Sequence, residues 1–405
     1  MITYLCGYVF EKKSNHALLK IKIGVIIAVH FIIMKINFNS MKNRLESLDI
    51  FRGLTITFMI IVNTAGDGRT TFAPLLHARW NGFTPTDLVF PSFVFITGLS
   101  AWFSYKAYNH TLTSDLAAKI WKRALIIFLL GVGLYAFPFI GHPLSTWRIL
   151  GVLQRIALCY GIGSTLCLLL NKKQIIGVSA LLLMGYWAIL SIFGDLTMAG
   201  NAGQKLDLFL FGDSHLYHGE GVAFDPEGLL STLPSLVTFF IGYLVGGFIG
   251  QNSDKENVIK QLSIVGVVLI IGGLLWNFGF PINKKLWTSS YVLLAGGLST
   301  LIFTLCYYLI DAKGIKNWTY YFKIFGTNAI LAYMISELLL ICLQIIETTD
   351  PSGKIINGQE WLYNTLFSSW IGANEWASLA FSLSYTGVCW GIVWLFYRRN
   401  IFLKV

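Results

Sequence analysis

Apolar runs and short polar breaks alternate along most of this chain. The runs fall at about 54–66, 86–105, 124–140, 149–170, 175–193, 229–249, 262–280, 287–310, 324–346 and 377–397, each bounded by charges or by Gly, Pro or Asn. A helix needs about 20 apolar residues to cross a ~30 Å hydrocarbon layer, and these runs come near that length. The pattern therefore predicts ten transmembrane helices. Two connections on the expected outer face are long, 194–228 and 347–376, and the second carries the turn signals of "TTDPSGKIINGQEW". Long connections between membrane helices often carry function.

Upstream, Ile23 to Met34 is apolar but short, His30 interrupts it, and Lys12, Lys13, Lys20 and Lys22 precede it. Residues 1–40 read either as an extra transmembrane helix or as an extension of a membrane domain, 41–405, that starts at Met41. No small-residue cleavage site follows the apolar stretch, so a cleaved signal peptide is not expected. The expected fold class is all-α: a polytopic integral membrane protein of ten to eleven transmembrane helices.

Composition agrees. Of 405 residues 55% are hydrophobic and only 12% charged, with a mean hydropathy of +0.64, far too apolar for a water-soluble domain. The formal charge of +10 would suit nucleic acid, but its placement excludes that partner. When the connections are numbered alternately, one side receives most of the basic residues, among them Lys42, Arg44, Arg52, Lys122, Arg123 and Arg398; Arg69, Arg79, Arg148, Arg155 and four lysines fall on the other. Cytoplasmic connections are enriched in Lys and Arg, so both ends of the ten-helix core are expected inside, with the lipid bilayer as partner. The six cysteines are scattered without a C-x-x-C pair and point to neither a disulfide framework nor zinc.

Candidate chemistry concentrates in "LLHARWNGFTPTDLVFPSFVF", residues 75–95. The alternation of spans brings Asn63, His77, Trp80, Asn81 and Asp87 to the outer boundary. A neutral imidazole there can act as a base or accept an acyl group, and Asp87 can fix its tautomer. An amide such as Asn63 or Asn81 can donate to an oxyanion, and Trp80 offers a flat face to a sugar. The set reads as acyl transfer to a sugar. Spacing alone equally allows interfacial anchors for His77 and Trp80, and a helix cap for Asp87.

Elsewhere, "RILGVLQRIALCYG" places Arg148, Gln154 and Arg155 at the head of a span, where the charges either snorkel outward or face an internal pocket. "FDPEGLLSTLPS" sets Asp225 and Glu227 before the next span, and Pro-Glu-Gly makes a good helix start. His215 and His218 form an H-x-x-H without a third ligand, so no metal is expected. Asn328 and Glu337 fall on one predicted span on roughly opposite faces, and Glu337 needs a partner or a water-filled cavity.

The segments "SLDIFRGLTITFMIIVN", "HARWNGFTPTDLVFPSFVFITGLS", "RILGVLQRIALCYG", "FDPEGLLSTLPSLV" and "NKKLWTSSYVLLAGG", in this order, resemble the heparan-α-glucosaminide N-acetyltransferase family and its bacterial relatives. The resemblance runs from about Arg44 to about Tyr333. It implies a transmembrane acyltransferase fold, and favours a real N-terminal span over an extension. It also implies acetyl-CoA as donor, the amine of a glucosamine-type sugar as acceptor, a bacterial inner-membrane setting and a homodimer. The family's active-site histidine falls on His77 and its asparagine on Asn63, with a somewhat longer loop between them here. On this reading Asp87 orients His77, and Trp80, Asn81 and Glu227 bind the acceptor. Arg52, Lys122 and Arg123 are the candidates to hold the nucleotide, with Arg44 less well placed, and a plain role as cytoplasmic anchors is the alternative for each. Gln154 and Arg155 join them if they face a pocket. The competing expectation is an amino-sugar transporter, which would place broken helices at mid-membrane and need no CoA.

Overall fold

The computed structural model describes residues 45–138, 143–350 and 352–403. The expected extension 1–40, together with Lys42 and Arg44, lies outside the described residues. From Leu45 onward the chain is a helical membrane protein. Its main helices are α1 (Glu46–Asn63), α2 (Val89–Tyr105, continuing a 3-10 turn Pro85–Leu88), α3 (Ser114–Ala136), α4 (Val152–Leu169), α5 (Lys172–Phe193) and the short α6 (Ala202–Phe211). Then follow α7 (Thr232–Gln251), α8 (Lys255–Trp276), α9 (Ser289–Tyr307), α10 (Thr319–Thr327), α11 (Ala329–Ile345) and α12 (Glu375–Arg398). A hairpin of β1 (Glu347–Thr349) and β2 (Ile355–Asn357), paired Glu347 to Asn357, follows α11.

Among the described residues seven helices are long and apolar enough to cross a membrane, or eight if α10 and α11 count as one bent span. The other two expected segments, α1 and α3, fall short because charges enter their first turns: Glu46, Asp49 and Arg52 in α1, and Asp115, Lys119, Lys122 and Arg123 in α3. The central helices α2, α7 and α9 are mostly buried, whereas α5 and α8 leave side chains such as Leu181, Ile192, Val268 and Leu275 exposed. In lipid such a face is at home, since hydrocarbon solvates it as well as protein does.

Two expectations need correction. The span predicted at 324–346 is broken: α10 and α11 meet at 84°. Asn328 sits in the break, its Nδ2 donating to Ile401 O and its Oδ1 accepting from Leu403 N, both at 2.9 Å. A side-chain amide that satisfies a passing tail has replaced helix continuity, so the face argument for Asn328 and Glu337 does not apply. The helix expected to start at Pro226-Glu227-Gly228 starts instead at Thr232, because Glu227 is engaged by Arg148.

Close helix approach rests on glycine. A Cβ at Gly98 would overlap the Phe239 carbonyl, and one at Gly242 the Phe95 carbonyl, so α2 and α7 meet backbone to backbone. Likewise Gly53 faces Phe322 and Gly326 faces the Asp49 carbonyl, which seats α10 on the first turns of α1. Gly98→Val is therefore expected to destabilise the fold by roughly 1–3 kcal/mol or more, because the obstacle is backbone and cannot rotate away. A lowered midpoint in a detergent thermal melt checks this; an unchanged midpoint would show that α2 and α7 can part without cost.

Candidate functional site

The segment from His77 to Thr84 is organised by one carboxylate. Pro85 opens the 3-10 turn after Thr84, and Asp87, in its third position, turns its side chain back so that Oδ2 accepts from Thr84 N at 3.0 Å and Thr84 Oγ1 at 3.1 Å. The same oxygen accepts from Ala78 N at 3.1 Å, and Oδ1 lies 2.6 Å from His77 Nδ1. Tyr291 of α9 donates its hydroxyl to the Asp87 carbonyl at 2.7 Å. Asp87 is thus both a cap and the partner of His77; the two readings of the sequence are compatible because a carboxylate has lone pairs for both. Asp87 is 1% exposed, whereas the His77 side chain is 42% exposed. A buried acceptor at Nδ1 selects the tautomer that carries its proton there and leaves Nε2 with a free lone pair.

Around this dyad the other expected residues spread out. Trp80 donates Nε1 to Leu196 O at 2.8 Å and meets Phe224 edge to face. Asn81 is exposed and accepts from Asn283 Nδ2 at 3.2 Å. Asn63, the last residue of α1, directs its side chain to the Glu337 carboxyl on α11. Ile60, Val89, Leu134, Leu153 and Tyr333 belong to one buried cluster, which packs α1, α2, α3, α4 and α11 together.

Glu227 belongs to a triad that crosses between connections. Arg148 donates Nε to Asp225 Oδ2 at 2.8 Å, and its terminal NH2 group donates to Asp225 Oδ1 at 2.7 Å and Glu227 Oε2 at 2.8 Å. Its guanidinium lies between the rings of Tyr135 and Tyr217, at 4.7 and 4.8 Å from their centroids. Burial raises the Asp225 carboxyl more than Arg148 lowers it. For Glu227 burial acts the same way but is outweighed by the charges of Arg148, Lys284 and Arg155, so that carboxyl sits below its usual range.

Arg155 does not snorkel. It is 1% exposed and donates to Gly228 O, Ser231 O, Ser231 Oγ and Ser235 Oγ at 2.6–3.2 Å, pinning the start of α7. Nearby, burial pushes the Asp207 carboxyl up to about 7 against one opposing hydrogen bond from Leu229 N. An acid whose folded pKa is raised stabilises the fold fully below its unfolded pKa, and that contribution fades as pH rises through the folded value. Stability is therefore expected to fall as pH climbs from about 4 through about 7. Asp207→Asn is expected to flatten that slope in thermal melts; an unaltered slope would put the titration elsewhere.

A cavity of about 580 Å³ lies between α1, α2, α3, α4 and the α10–α11 break. One end is polar: Asp49, Arg52, Ser100 and Arg123 line it, with Leu403 of the tail beside them. Arg52 donates to Asp49 Oδ1, Ser100 Oγ and Gly326 O at 2.8–3.1 Å, while Arg123 stacks on Tyr160 at 4.9 Å. The middle is apolar, with Ile56, Phe93, Ile96 and Ile127. The far end reaches Met59 and Tyr333, each one helical turn, about 6 Å, before Asn63 and Glu337 respectively. The cavity lining stops short of His77 itself.

Of the cofactor candidates, only Arg52 and Arg123 line this cavity. Lys122 is exposed on another face of α3. Gln154 is fully buried against Gly131, and Arg155 is occupied at α7. Residues one position apart on a helix point about 100° apart, which is why neighbours in sequence part company here. His215 bonds the Trp147 carbonyl and His218 pairs with Asp213, so the H-x-x-H imidazoles take separate partners. Sequence reasoning missed Asp49, Tyr135, Tyr291, Tyr333 and the Arg148 triad. Only the bare fact of unbalanced charges in apolar surroundings could have flagged the triad.

The family model described as heparan-alpha-glucosaminide N-acetyltransferase, catalytic, matches residues 44–275, more than half of the chain. A relative from Mus musculus named heparan-alpha-glucosaminide N-acetyltransferase is 32% identical over 361 residues, covering 74% of this chain and 54% of its own length. The Homo sapiens protein of the same name is 31% identical over 423 residues, covering 89% of this chain and 60% of its own. The chain thus spans little more than half the length of these relatives. His77, Asp87, Arg148, Asp225 and Glu227 fall inside the matched region, and the long apolar helices are those of a membrane protein. The chain belongs to the heparan-alpha-glucosaminide N-acetyltransferase catalytic family.

Proposed function

We propose that this protein transfers an acetyl group from acetyl-CoA on the cytoplasmic side to the amine of a glucosamine-type sugar on the outer side. The observation that carries this reading is the cavity: it begins at two guanidinium groups and ends one turn from Asn63, the residue at which α1 gives way to the loop that carries His77. The excess of Lys and Arg on one set of connections supports an inward-facing Arg52 end and an outward-facing His77 end.

The residues present fit such a donor. The volume lies within the range of small-molecule sites, about 300–1,000 Å³. Arg123 has a buried Nε without a partner among the described residues, suited to an anion, whereas Arg52 is partly neutralised by Asp49. The apolar middle suits an uncharged pantetheine arm, and the donor brings an activated thioester. His77 Nε2, held by Asp87, takes the proton of the attacking amine or attacks first itself. The Asn63 amide supplies a donor for charge developing on the acyl oxygen. Trp80, Asn81 and the Arg148-held Glu227 form the polar and aromatic surroundings for the acceptor.

A transporter would place its broken helix at mid-membrane. Here the break lies beside Asp49, in the first turn of α1, and the tail closes it. Proteoliposomes with labelled acetyl-CoA on one side and glucosamine on the other separate the readings. Label on the sugar is the expected result. Unmodified sugar crossing without label would overturn it.

A further inference from the structure

Three acids on the His77 side are already satisfied by cations or hydrogen-bond donors: Asp87 by His77, Thr84 and Ala78, and Asp225 and Glu227 by Arg148. Glu337 is different. It lies on α11 one turn beyond Tyr333, which lines the cavity, and no basic group acts on it among the described residues. The groups that face it are Asn63 of α1, Tyr135 of α3, Tyr333 of its own helix, and Tyr385 and Cys389 of α12. A carboxylate in a membrane span without a cation is costly and points to a functional partner.

The chemistry of the acceptor supplies one. An amino sugar reaches the site largely as an ammonium and has two protons to lose before it becomes an amide. The dyad can handle one of them, because His77 has a single free nitrogen. We propose that Glu337 is a further catalytic and specificity residue: it captures the acceptor's ammonium and takes its first proton, beside the Asn63 amide. This rests on the acetyl-transfer reading above.

In the direct route the balance is complete. The ammonium gives one proton to the Glu337 carboxylate, which passes it to outer water. The freed amine forms the N–C bond at the thioester carbon. His77 Nε2 takes the second proton from that nitrogen as the C–S bond breaks, and returns it to the departing thiolate. The products are an amide, a free thiol and one proton released outside.

The test compares wild type, Glu337→Gln and Glu337→Asp in the full-length protein. Binding of glucosamine and of N-acetylglucosamine without donor is read by thermal stabilisation, and acetyl transfer is read across pH. Losing a charge-assisted contact should weaken glucosamine binding and raise its KM about ten- to a hundredfold in Glu337→Gln. N-acetylglucosamine, which carries no ammonium, should bind both proteins alike. Transfer by Glu337→Gln should recover toward alkaline pH, where the acceptor arrives neutral, and Glu337→Asp should fall between. Equal glucosamine affinity in wild type and Glu337→Gln, or a loss that is the same at every pH, overturns the role of Glu337. If Glu337→Gln does not fold, Glu337→Asp decides: an unaltered KM overturns the proposal and a raised one supports it. Binding that depends on Glu337, without transfer by wild type, supports recognition and overturns the transfer reading instead.

Discussion

His77→Ala is expected to lower acetyl transfer by about 10²–10⁴-fold, the usual contribution of a positioned general base, with acceptor and donor binding little changed. The fold should survive, because the His77 side chain is 42% exposed and the backbone turn is held by other bonds to Asp87. Asp87→Asn is expected to lower the rate as well, by a different path. An amide can offer an N–H to Nδ1, which favours the tautomer with its proton on Nε2, where a lone pair is required. It also weakens the cap at Thr84, so this variant should melt earlier, by the ~1 kcal/mol typical of a lost cap. Initial rates in proteoliposomes, paired with thermal melts, separate the two variants. Wild-type rates from His77→Ala would remove the imidazole from the chemistry and the acetyl-transfer reading with it.

The largest stability effect is expected at Arg148. It is the shared cation of two acids that are themselves almost wholly inaccessible. Arg148→Ala leaves two carboxylates facing each other with only the charges of Lys284 and Arg155 acting on Glu227, and loss of one partner of a buried ion pair costs about 3–5 kcal/mol. Arg148→Lys should rescue only in part, since an ammonium cannot reproduce the two-pronged bond to Asp225 or lie flat between Tyr135 and Tyr217. Adding Asp225→Asn to Arg148→Ala should restore some stability, because it removes one of the stranded charges. Yield of monodisperse protein and its melting midpoint report all three. An Arg148→Ala protein as stable as wild type would mean that the acids leave their burial and reach water.

The role of these groups was unevenly legible in the sequence. His77 and Asp87 are ten residues apart in one loop, close enough for turn geometry and capping preference to bring them together. Arg148 and Asp225 are 77 apart, in separate connections, and no local rule pairs them. Glu337 was visible as a misplaced charge, but its partner Asn63 lies at the end of the first helix. Gln154 and Arg155 show the reverse failure: they stand at the head of a helix that reaches the cavity, yet the turn of that helix sends them elsewhere.

By itself the sequence determined that the chain lives in a membrane as helices, because apolar run length and composition admit no other solvent. It also placed a histidine and an acid ten residues apart in one short stretch, close enough for local turn geometry to pair them. Tertiary structure alone decided which charges meet, where the ninth span breaks, and which arginines reach the cavity. Those depend on helix rotation and on glycine contacts between distant segments, and neither leaves a periodic trace along the chain.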